Sequence, residues 1–139
     1  MTDKTRITIE VNINAPIEKV WECFTLPEHI INWNFASDDW CCPTAVNDLK
    51  AGGKFSWRME SKDGKIGFDF SGVYDEVIEY QKIKYTLGDN REVEITFRSE
   101  NNFSIVTETF EAENVFSIEQ QRQGWQAILN NFKKYVEGN

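Results

Sequence analysis

The chain of 139 residues is long enough for one domain with a substantial core and too short for two. Its 15 basic and 23 acidic residues give a net charge of −8. Nucleic acids and anionic membrane surfaces are bound through clustered Lys and Arg, so this balance argues against both as partners.

The first residues, MTDKTRITIE, lack the apolar core of a signal peptide, and no apolar run is long enough to span a bilayer. The cysteines are Cys23, Cys41 and Cys42, an odd number that does not fit a disulfide framework and is typical of a reducing compartment. We therefore expect a cytoplasmic protein without membrane insertion and with a single domain over residues 1–139.

The N-terminal part predicts a strand followed by two short helices. Residues 5–13 alternate between apolar and polar, which is the period of a half-buried strand. Asn14 is a residue type that caps helices, and the apolar residues after it recur at helical spacing: Ile17, Val20, Trp21 and Phe24. Thr25 and Glu28 have the spacing of a capping box, which predicts a second short helix towards Trp33.

Turn residues divide the next region into six predicted strands with short connections, as in an antiparallel meander: 46–50, 53–61, 66–79, 82–87, 91–98 and 103–111. Alternation assigns aromatic residues such as Trp57 and Phe70 to one face of the sheet and polar residues to the other. In the last strand Ile105 and Val106 are adjacent, so alternation does not assign its faces.

The C-terminal segment predicts a long helix that begins at a Ser117-x-x-Gln capping box and ends near residue 137. Within it, Gly124 either allows a close approach to the sheet, leaves space beside Trp125 for a ligand, or reflects simple packing. Arg122 shares the apolar face, where its charged head either reaches solvent or meets a polar partner. The apolar stripe that must cover the sheet is Ile118, Trp125, Ile128, Leu129, Phe132 and Val136.

The sequence contains few of the combinations that carry common chemistry. It has no C-x-x-C or His-x-x-x-His spacing, which predicts no metal site, and the lone His29 predicts no catalytic triad. No P-loop or dinucleotide-binding motif occurs, so we expect no cofactor. Asp38-Asp39 fits a solvated turn better than a carboxylate pair with a raised pKa, and Cys41-Cys42 fits local packing better than a disulfide.

The order of the predicted elements, together with three sequence segments, resembles the START-like helix-grip superfamily, also called SRPBCC. Within it, the chain looks most like single-domain members of the family named for the activator of the heat-shock protein 90 ATPase. The segments that carry the resemblance are 13–21 (INAPIEKVW), 70–77 (FSGVYDEV), and Gly124-Trp125 followed by Leu129 and Tyr135-Val136.

The resemblance implies an α+β helix-grip fold, in which a curved antiparallel sheet (β-α-α-β6-α order) wraps around the C-terminal helix. In many relatives the cavity between them holds an apolar or amphipathic molecule. The layout also implies that segment 32–45 (NWNFASDDWCCPTA) forms the lip of this cavity, with Trp33, Phe35 and Trp40 as an apolar gate. The other predicted ligand-binding residues are Trp57, Met59, Phe68, Phe70, Tyr74, Tyr85, Phe97, Arg122, Trp125 and Leu129.

The main functional prediction is therefore a binding domain for a small apolar or amphipathic ligand, for carriage or sensing, as a monomer or homodimer. The first alternative is a cyclase- or hydrolase-like enzyme that uses a polar group such as Asp39, Tyr74 or Arg122, although no catalytic residue of enzymatic relatives transfers to this sequence. The second is a chaperone-interacting stress-response protein. Eukaryotic co-chaperone members carry an additional N-terminal chaperone-binding domain with no counterpart here, which argues against ATPase activation.

Overall fold

The computed structural model describes residues 5–139, so the first four residues of the predicted domain lie outside the described part. The described chain forms one sheet and three helices. In chain order the elements are β1 (Arg6–Ile13), α1 (Ile17–Thr25), α2 (Pro27–Ile30), β2 (Trp40–Cys41), β3 (Ala45–Asn47), β4 (Lys54–Ser61), β5 (Gly67–Ile78), β6 (Lys82–Leu87), β7 (Glu92–Glu100), β8 (Phe103–Glu111) and α3 (Ile118–Glu137).

The sheet has the order β1-β8-β7-β6-β5-β4-β2, with β3 also paired to β4, and all pairs are antiparallel. The first strand pairs with the last along its whole length, from Arg6 opposite Glu111 to Ile13 opposite Ser104. In β5 the register shifts after Tyr74, and such a bulge bends the strand. The curled sheet and its C-terminal helix confirm the predicted α+β helix-grip fold.

The predicted caps of the two short helices are wrong. Pro16 precedes α1 without a side-chain cap, and the backbone N–H of Asn14 instead donates to the Glu137 carboxylate at 2.8 Å. Thr25 belongs to α1, where its hydroxyl donates to the Trp21 carbonyl at 2.8 Å. Leu26, which has no side-chain acceptor, occupies the N-cap position of α2, so this helix has no side-chain cap and spans only 4 residues.

The predicted meander is present with two differences. The strand predicted at 46–50 ends at Asn47, because a turn follows in which the N–H of Lys50 donates to the Asp48 carbonyl at 2.9 Å. The short β2, which was not predicted, pairs with the end of β4. The remaining strands lie within a few residues of their predicted bounds.

The long helix begins at the predicted capping box. The Ser117 hydroxyl accepts from the N–H of Gln120 at 3.1 Å, and the Gln120 side chain accepts from the N–H of Ser117 at 3.0 Å. With 20 residues, α3 is about 30 Å long at roughly 1.5 Å per residue and lies against β1. The first residue of the predicted stripe, Ile118, is exposed, whereas the fully buried part is Leu129, Phe132 and Val136.

Candidate functional site

A cavity of about 140 Å³ lies between the concave face of the sheet and α3. Strands β4, β5, β6 and β8, the helices α1 and α3, and the chain after α2 all contribute to its wall. The lining residues are Phe24, Trp33, Asn34, Trp57, Met59, Phe68, Phe70, Tyr85, Glu108, Trp125 and Ile128.

The wall residues point inward because of the alternation along the strands. In β4, Phe55, Trp57 and Met59 are buried and the residues between them are not, as predicted. Phe70 of β5 lies directly opposite Trp57 in the strand register, so their rings stand on the same face. Phe68, two residues earlier, lies at the rim and is 46% exposed.

The rings continue from the sheet onto α3. The ring centroids of Trp57 and Phe70 are 5.8 Å apart, and those of Phe70 and Trp125 are 5.9 Å apart. Trp125 also stacks on Phe110 of β8, with centroids 3.9 Å apart and planes inclined by 9°. Aromatic groups of both layers therefore enclose the cavity.

One carboxyl group faces this aromatic space, that of Glu108 in β8. Glu108 is only 8% exposed, and no residue between 5 and 139 makes a hydrogen bond or ion pair with its carboxyl group. In the same part of the chain, every fully buried side-chain oxygen or nitrogen has a partner, so the Glu108 oxygens must retain contact with the cavity. Burial raises the pKa of Glu108 to about 8, because the ionised form is poorly solvated there.

Tyr85 and Asn34 are the other polar residues of the wall. Burial raises the pKa of Tyr85 well above its usual value, and the nearby charge of Glu108 raises it further. The Asn34 amide donates to the Cys42 sulfur at 3.8 Å. No Lys, Arg or His from the described residues lines this cavity.

Sequence reasoning missed Glu108. Val106, Glu108 and Phe110 alternate as buried residues that face α3, but the adjacent Ile105 is buried as well. If Phe110 faces inward, alternation places Glu108 on the inner face as well. If Ile105 is taken as the inward residue, alternation places Glu108 on the outer face, so the sequence did not decide between the two.

The structure brings seven of the predicted ligand-binding residues to the wall: Trp33, Trp57, Met59, Phe68, Phe70, Tyr85 and Trp125. The others lie elsewhere: Phe35, Trp40, Tyr74, Phe97, Arg122 and Leu129. Phe97 and Leu129 are buried in the hydrophobic core and do not line the cavity. Alternation in β7 and the apolar stripe of α3 predicted that Phe97 and Leu129 face inward, but not where they lie along the groove.

The segment 32–45 forms a lip only in part. Trp33 is buried, and its indole N–H donates to the Cys23 carbonyl at 2.8 Å, so it belongs to the wall rather than to a gate. Trp40 lies at the rim, with its ring centroid 6.2 Å from that of Phe68. Phe35 lines a different groove, between this segment and the outer side of α3.

Tyr74 is a structural residue next to the wall. Its hydroxyl donates to the Asn47 side-chain oxygen at 2.7 Å, and the Trp57 indole N–H donates to the same oxygen at 3.1 Å. The Asn47 amide donates in turn to the Thr25 carbonyl at 2.7 Å. Burial raises the pKa of Tyr74. Through Asn47, these bonds fix the orientation of Trp57.

Two polar residues that the sequence offered for the cavity lie outside it. Arg122 donates to the Thr8 carbonyl at 3.1 Å, and its Nε is 3.8 Å from the Glu119 carboxylate. Asp39 is exposed and accepts from the Ser37 hydroxyl at 2.5 Å, a bond that lowers its pKa. Asp39 therefore has the environment of a solvated turn.

A wider groove of about 540 Å³ continues the cavity outward along α3. Phe68, Phe70 and Trp125 line both spaces, and Gly124 and Phe116 line the outer one. A Cβ placed on Gly124 would meet no atom within 4 Å, so close approach is not the reason for this glycine. Its effect is to leave space beside Trp125.

Among residues 5–139, no group of three or more His, Cys, Asp or Glu side chains is arranged to hold a metal ion. The described helices include none that is both long and apolar enough to cross a membrane. Cys23, Cys41 and Cys42 form no disulfide with one another.

A curled antiparallel sheet that grips a C-terminal helix defines a START-like helix-grip protein. The chain belongs to the Activator of Hsp90 ATPase homolog 1-like protein family, whose model matches residues 14–137. This confirms the family resemblance found in the sequence.

Solved structures with this fold include close relatives. The AHSA1-like protein of Aeromonas hydrophila is 42% identical, with 96% of this chain and 93% of that chain aligned and a TM-score of 0.91. A protein from Cytophaga hutchinsonii is 48% identical over the same shares, with a TM-score of 0.83. A Nitrosomonas europaea protein that is only 17% identical shares the fold over 96% of this chain and 94% of that chain, with a TM-score of 0.82. No protein with a curated description matches the chain.

Proposed function

We propose that this protein binds a small, largely apolar molecule in the cavity between the sheet and α3, for carriage or sensing. The observation that supports this proposal is the space of about 140 Å³ that remains among seven aromatic side chains of the wall. Pockets that bind small molecules combine such apolar walls with a few polar groups, a role that Glu108, Tyr85 and Asn34 fill here. The three cysteines, which form no disulfide with one another, support a cytoplasmic location for this activity. We propose that the protein acts as a monomer or homodimer.

The outer groove supports the same proposal, because it gives a ligand a way in. The groove and the cavity share three aromatic residues, and Gly124 keeps the helix side of the groove open. A ligand longer than one ring would extend from the cavity into this groove, beside Phe68 and Phe116.

A thermal-shift screen with fatty alcohols, sterols and aromatic compounds tests the proposal. We expect at least one compound to raise the melting temperature, since a ligand that binds only the folded state stabilises it. Gly124→Phe should weaken this shift, because its ring would occupy the outer groove. The matched control, Gln123→Phe, adds the same ring at an exposed neighbouring position and should leave the shift intact. The proposal fails if no compound produces a shift, or if both variants behave alike.

Acid–base catalysis on the bound molecule is a second candidate function. It is favoured by Glu108, whose raised pKa of about 8 allows it to exchange a proton near neutral pH, and not by Asp39, Tyr74 or Arg122. Mass spectrometry of a compound incubated with the protein should then show a product that Glu108→Gln fails to form. An unchanged compound at full occupancy would argue for binding alone.

A chaperone contact is a third candidate, and it rests on the family name. It would use the outer surface, where Val115 and Phe116 are exposed ahead of α3. A pull-down with the middle domain of the chaperone tests it, with Phe116→Ser as the variant expected to lose the contact. Absence of both co-purification and ATPase stimulation would exclude this function.

A further inference from the structure

No residue between 5 and 139 supplies a partner that would balance the burial of Glu108. The residue is only 8% exposed, and no described residue hydrogen-bonds to its carboxyl group. A buried carboxyl without a partner destabilises a protein, and a bound molecule that supplies the missing partner would recover that loss. The group therefore indicates what kind of ligand the cavity is built for.

The surroundings of Glu108 favour a positive charge in the ligand. Trp125 lines the same cavity as Glu108 and stacks on Phe110, the next residue on the same face of β8. Aromatic faces attract cations, and they do so more strongly where water is excluded. The remaining wall includes Trp33, Trp57 and Phe70.

An anionic ligand has no partner in the same space. No basic side chain from residues 5–139 lines the cavity, and Arg122, on the neighbouring helix, is bound to the Thr8 carbonyl on the edge strand β1. Arg58 and Arg98 are paired with acidic side chains outside the cavity. Arg91 lines the outer groove together with Glu113, and its Nε is 2.8 Å from the Asp89 carboxylate. The net charge of −8 also repels anions and attracts cations to the opening.

The cavity volume limits the size of the buried group. An apolar cavity of about 150 Å³ in another protein holds one benzene molecule. The space of about 140 Å³ next to Glu108 therefore fits one ring or a branched aliphatic group of similar size.

We propose that the cavity selects an organic amine: a protonated ammonium group forms an ion pair with Glu108, and the ring or branched chain that carries it fills the aromatic space. The inference rests on the proposed function, because it specifies the ligand class of the same cavity. It differs from the general proposal in requiring a cation, where an apolar pocket alone would accept neutral molecules equally well.

The proposal implies that binding releases a proton. The titratable groups that face the cavity from the surrounding elements are Glu108 on β8 and Tyr85 on β6, while α3 and β4 contribute no titratable side chain to the wall. In the empty protein, burial keeps Glu108 mostly protonated at neutral pH. An ammonium group beside it would favour the ionised carboxylate, so the proton passes from Glu108 to the buffer. Tyr85 stays protonated in both states, because its pKa is raised further still.

Three probes with the same phenyl ring test the charge requirement: benzylamine, benzyl alcohol and benzoate. Isothermal titration calorimetry at neutral pH should give a Kd for benzylamine at least about tenfold below that for benzyl alcohol, as a charge-assisted hydrogen bond in a buried site allows. Benzoate should show no binding. Repeating the titration in buffers of different ionisation enthalpy should give release of about one proton per bound amine.

Glu108→Gln keeps the shape of the side chain and should abolish both the preference for benzylamine and the proton release, while benzyl alcohol still binds. Glu10→Gln is the matched control, because it removes a carboxylate from the exposed face of β1 and should change neither result. Equal affinities for the amine and the alcohol, or a preference that survives in Glu108→Gln, would overturn this inference and leave the proposed binding function standing. If none of the three probes binds, this inference is contradicted, whereas the thermal-shift screen decides separately on the proposed binding function.

Discussion

At the scale of single residues, Asn47 connects the cavity wall to the helical layer. Its side-chain oxygen accepts from Tyr74 and Trp57, and its amide donates to the Thr25 carbonyl. Trp57 thus reaches the cavity with its indole N–H already satisfied, and its ring is free to contact an apolar ligand. Asn47 was not a candidate in the sequence, because a lone Asn near a turn usually serves the turn itself.

Tyr74→Phe should lower the free energy of unfolding by about 1–2 kcal/mol, because it removes a buried hydrogen bond and leaves one lone pair of Asn47 unsatisfied. Tyr85→Phe is the matched control. No hydrogen bond from residues 5–139 reaches the Tyr85 hydroxyl, so this variant should change stability by less than about 0.5 kcal/mol. Urea denaturation of both variants measures the difference, and equal losses would contradict the structural role of Tyr74.

The stability of the empty protein should decrease with pH because of Glu108. The unfolded chain loses this proton near the ordinary glutamate pKa of 4.5, whereas the raised pKa of about 8 keeps the proton on the folded chain. The folded state binds more protons between these values, so the free energy of unfolding is unaffected below the lower pKa and falls until the pH passes the upper one. Glu108→Gln should remove this decrease.

Near pH 9 the variant should therefore be more stable than the unaltered protein, by on the order of 5 kcal/mol, and near pH 5 the two should be similar. Urea denaturation at several pH values measures this difference. If the difference in free energy of unfolding between the two proteins does not change with pH, the Glu108 carboxyl group is hydrated in the folded state.

At the scale of elements, α3 contains a glycine that costs stability without serving the packing. Gly124→Ala should raise the free energy of unfolding by about 0.5–1 kcal/mol, since alanine favours the helix and its Cβ meets no atom within 4 Å. Gly72→Ala in β5 should lower the free energy of unfolding, because the added Cβ would lie 2.5 Å from the Thr86 carbonyl oxygen and 3.0 Å from the Phe55 ring. Thermal unfolding of both variants distinguishes them, and a destabilised Gly124→Ala would contradict the open space beside Trp125.

The elements themselves could be predicted where one local signal acted alone. The capping box at Ser117 started α3 as expected, and alternation assigned the faces of β4. The prediction failed at Thr25, where a hydroxyl with a favourable spacing bonded back to Trp21 instead. A Thr at the end of one helix can bond back to the preceding turn as readily as cap the next helix, so spacing alone does not predict which it does.

At the scale of the whole molecule, the site could not be predicted in full, because it depends on the curl of the sheet. Phe97 and Phe70 share the inner face, yet only Phe70 reaches the cavity. The polar residues that line it, Asn34, Tyr85 and Glu108, are far apart from one another in the sequence. Alternation predicts which face a residue occupies, whereas a void arises from how whole layers meet.

The charge of the molecule acts on the same scale. A net charge of −8 and a cavity wall without described basic side chains together favour uptake of neutral or positively charged molecules. Association of a cationic ligand should consequently slow as salt is added, because screening shortens the range of this attraction. Stopped-flow fluorescence with benzylamine at low and high salt measures the effect, and a rate independent of salt would show that the overall charge does not steer the ligand.

The binding claim is tested most directly by the indole N–H signals of the five tryptophans in a ¹H–¹⁵N NMR titration with benzylamine or benzyl alcohol. Trp33, Trp57 and Trp125 line the cavity, whereas Trp21 packs against Tyr80 and Phe97 in a different part of the core. Saturable shifts of the three cavity signals, with the Trp21 signal unchanged, are the predicted result. No shift at any concentration, or equal shifts of Trp21 and the cavity tryptophans, would contradict binding in the cavity.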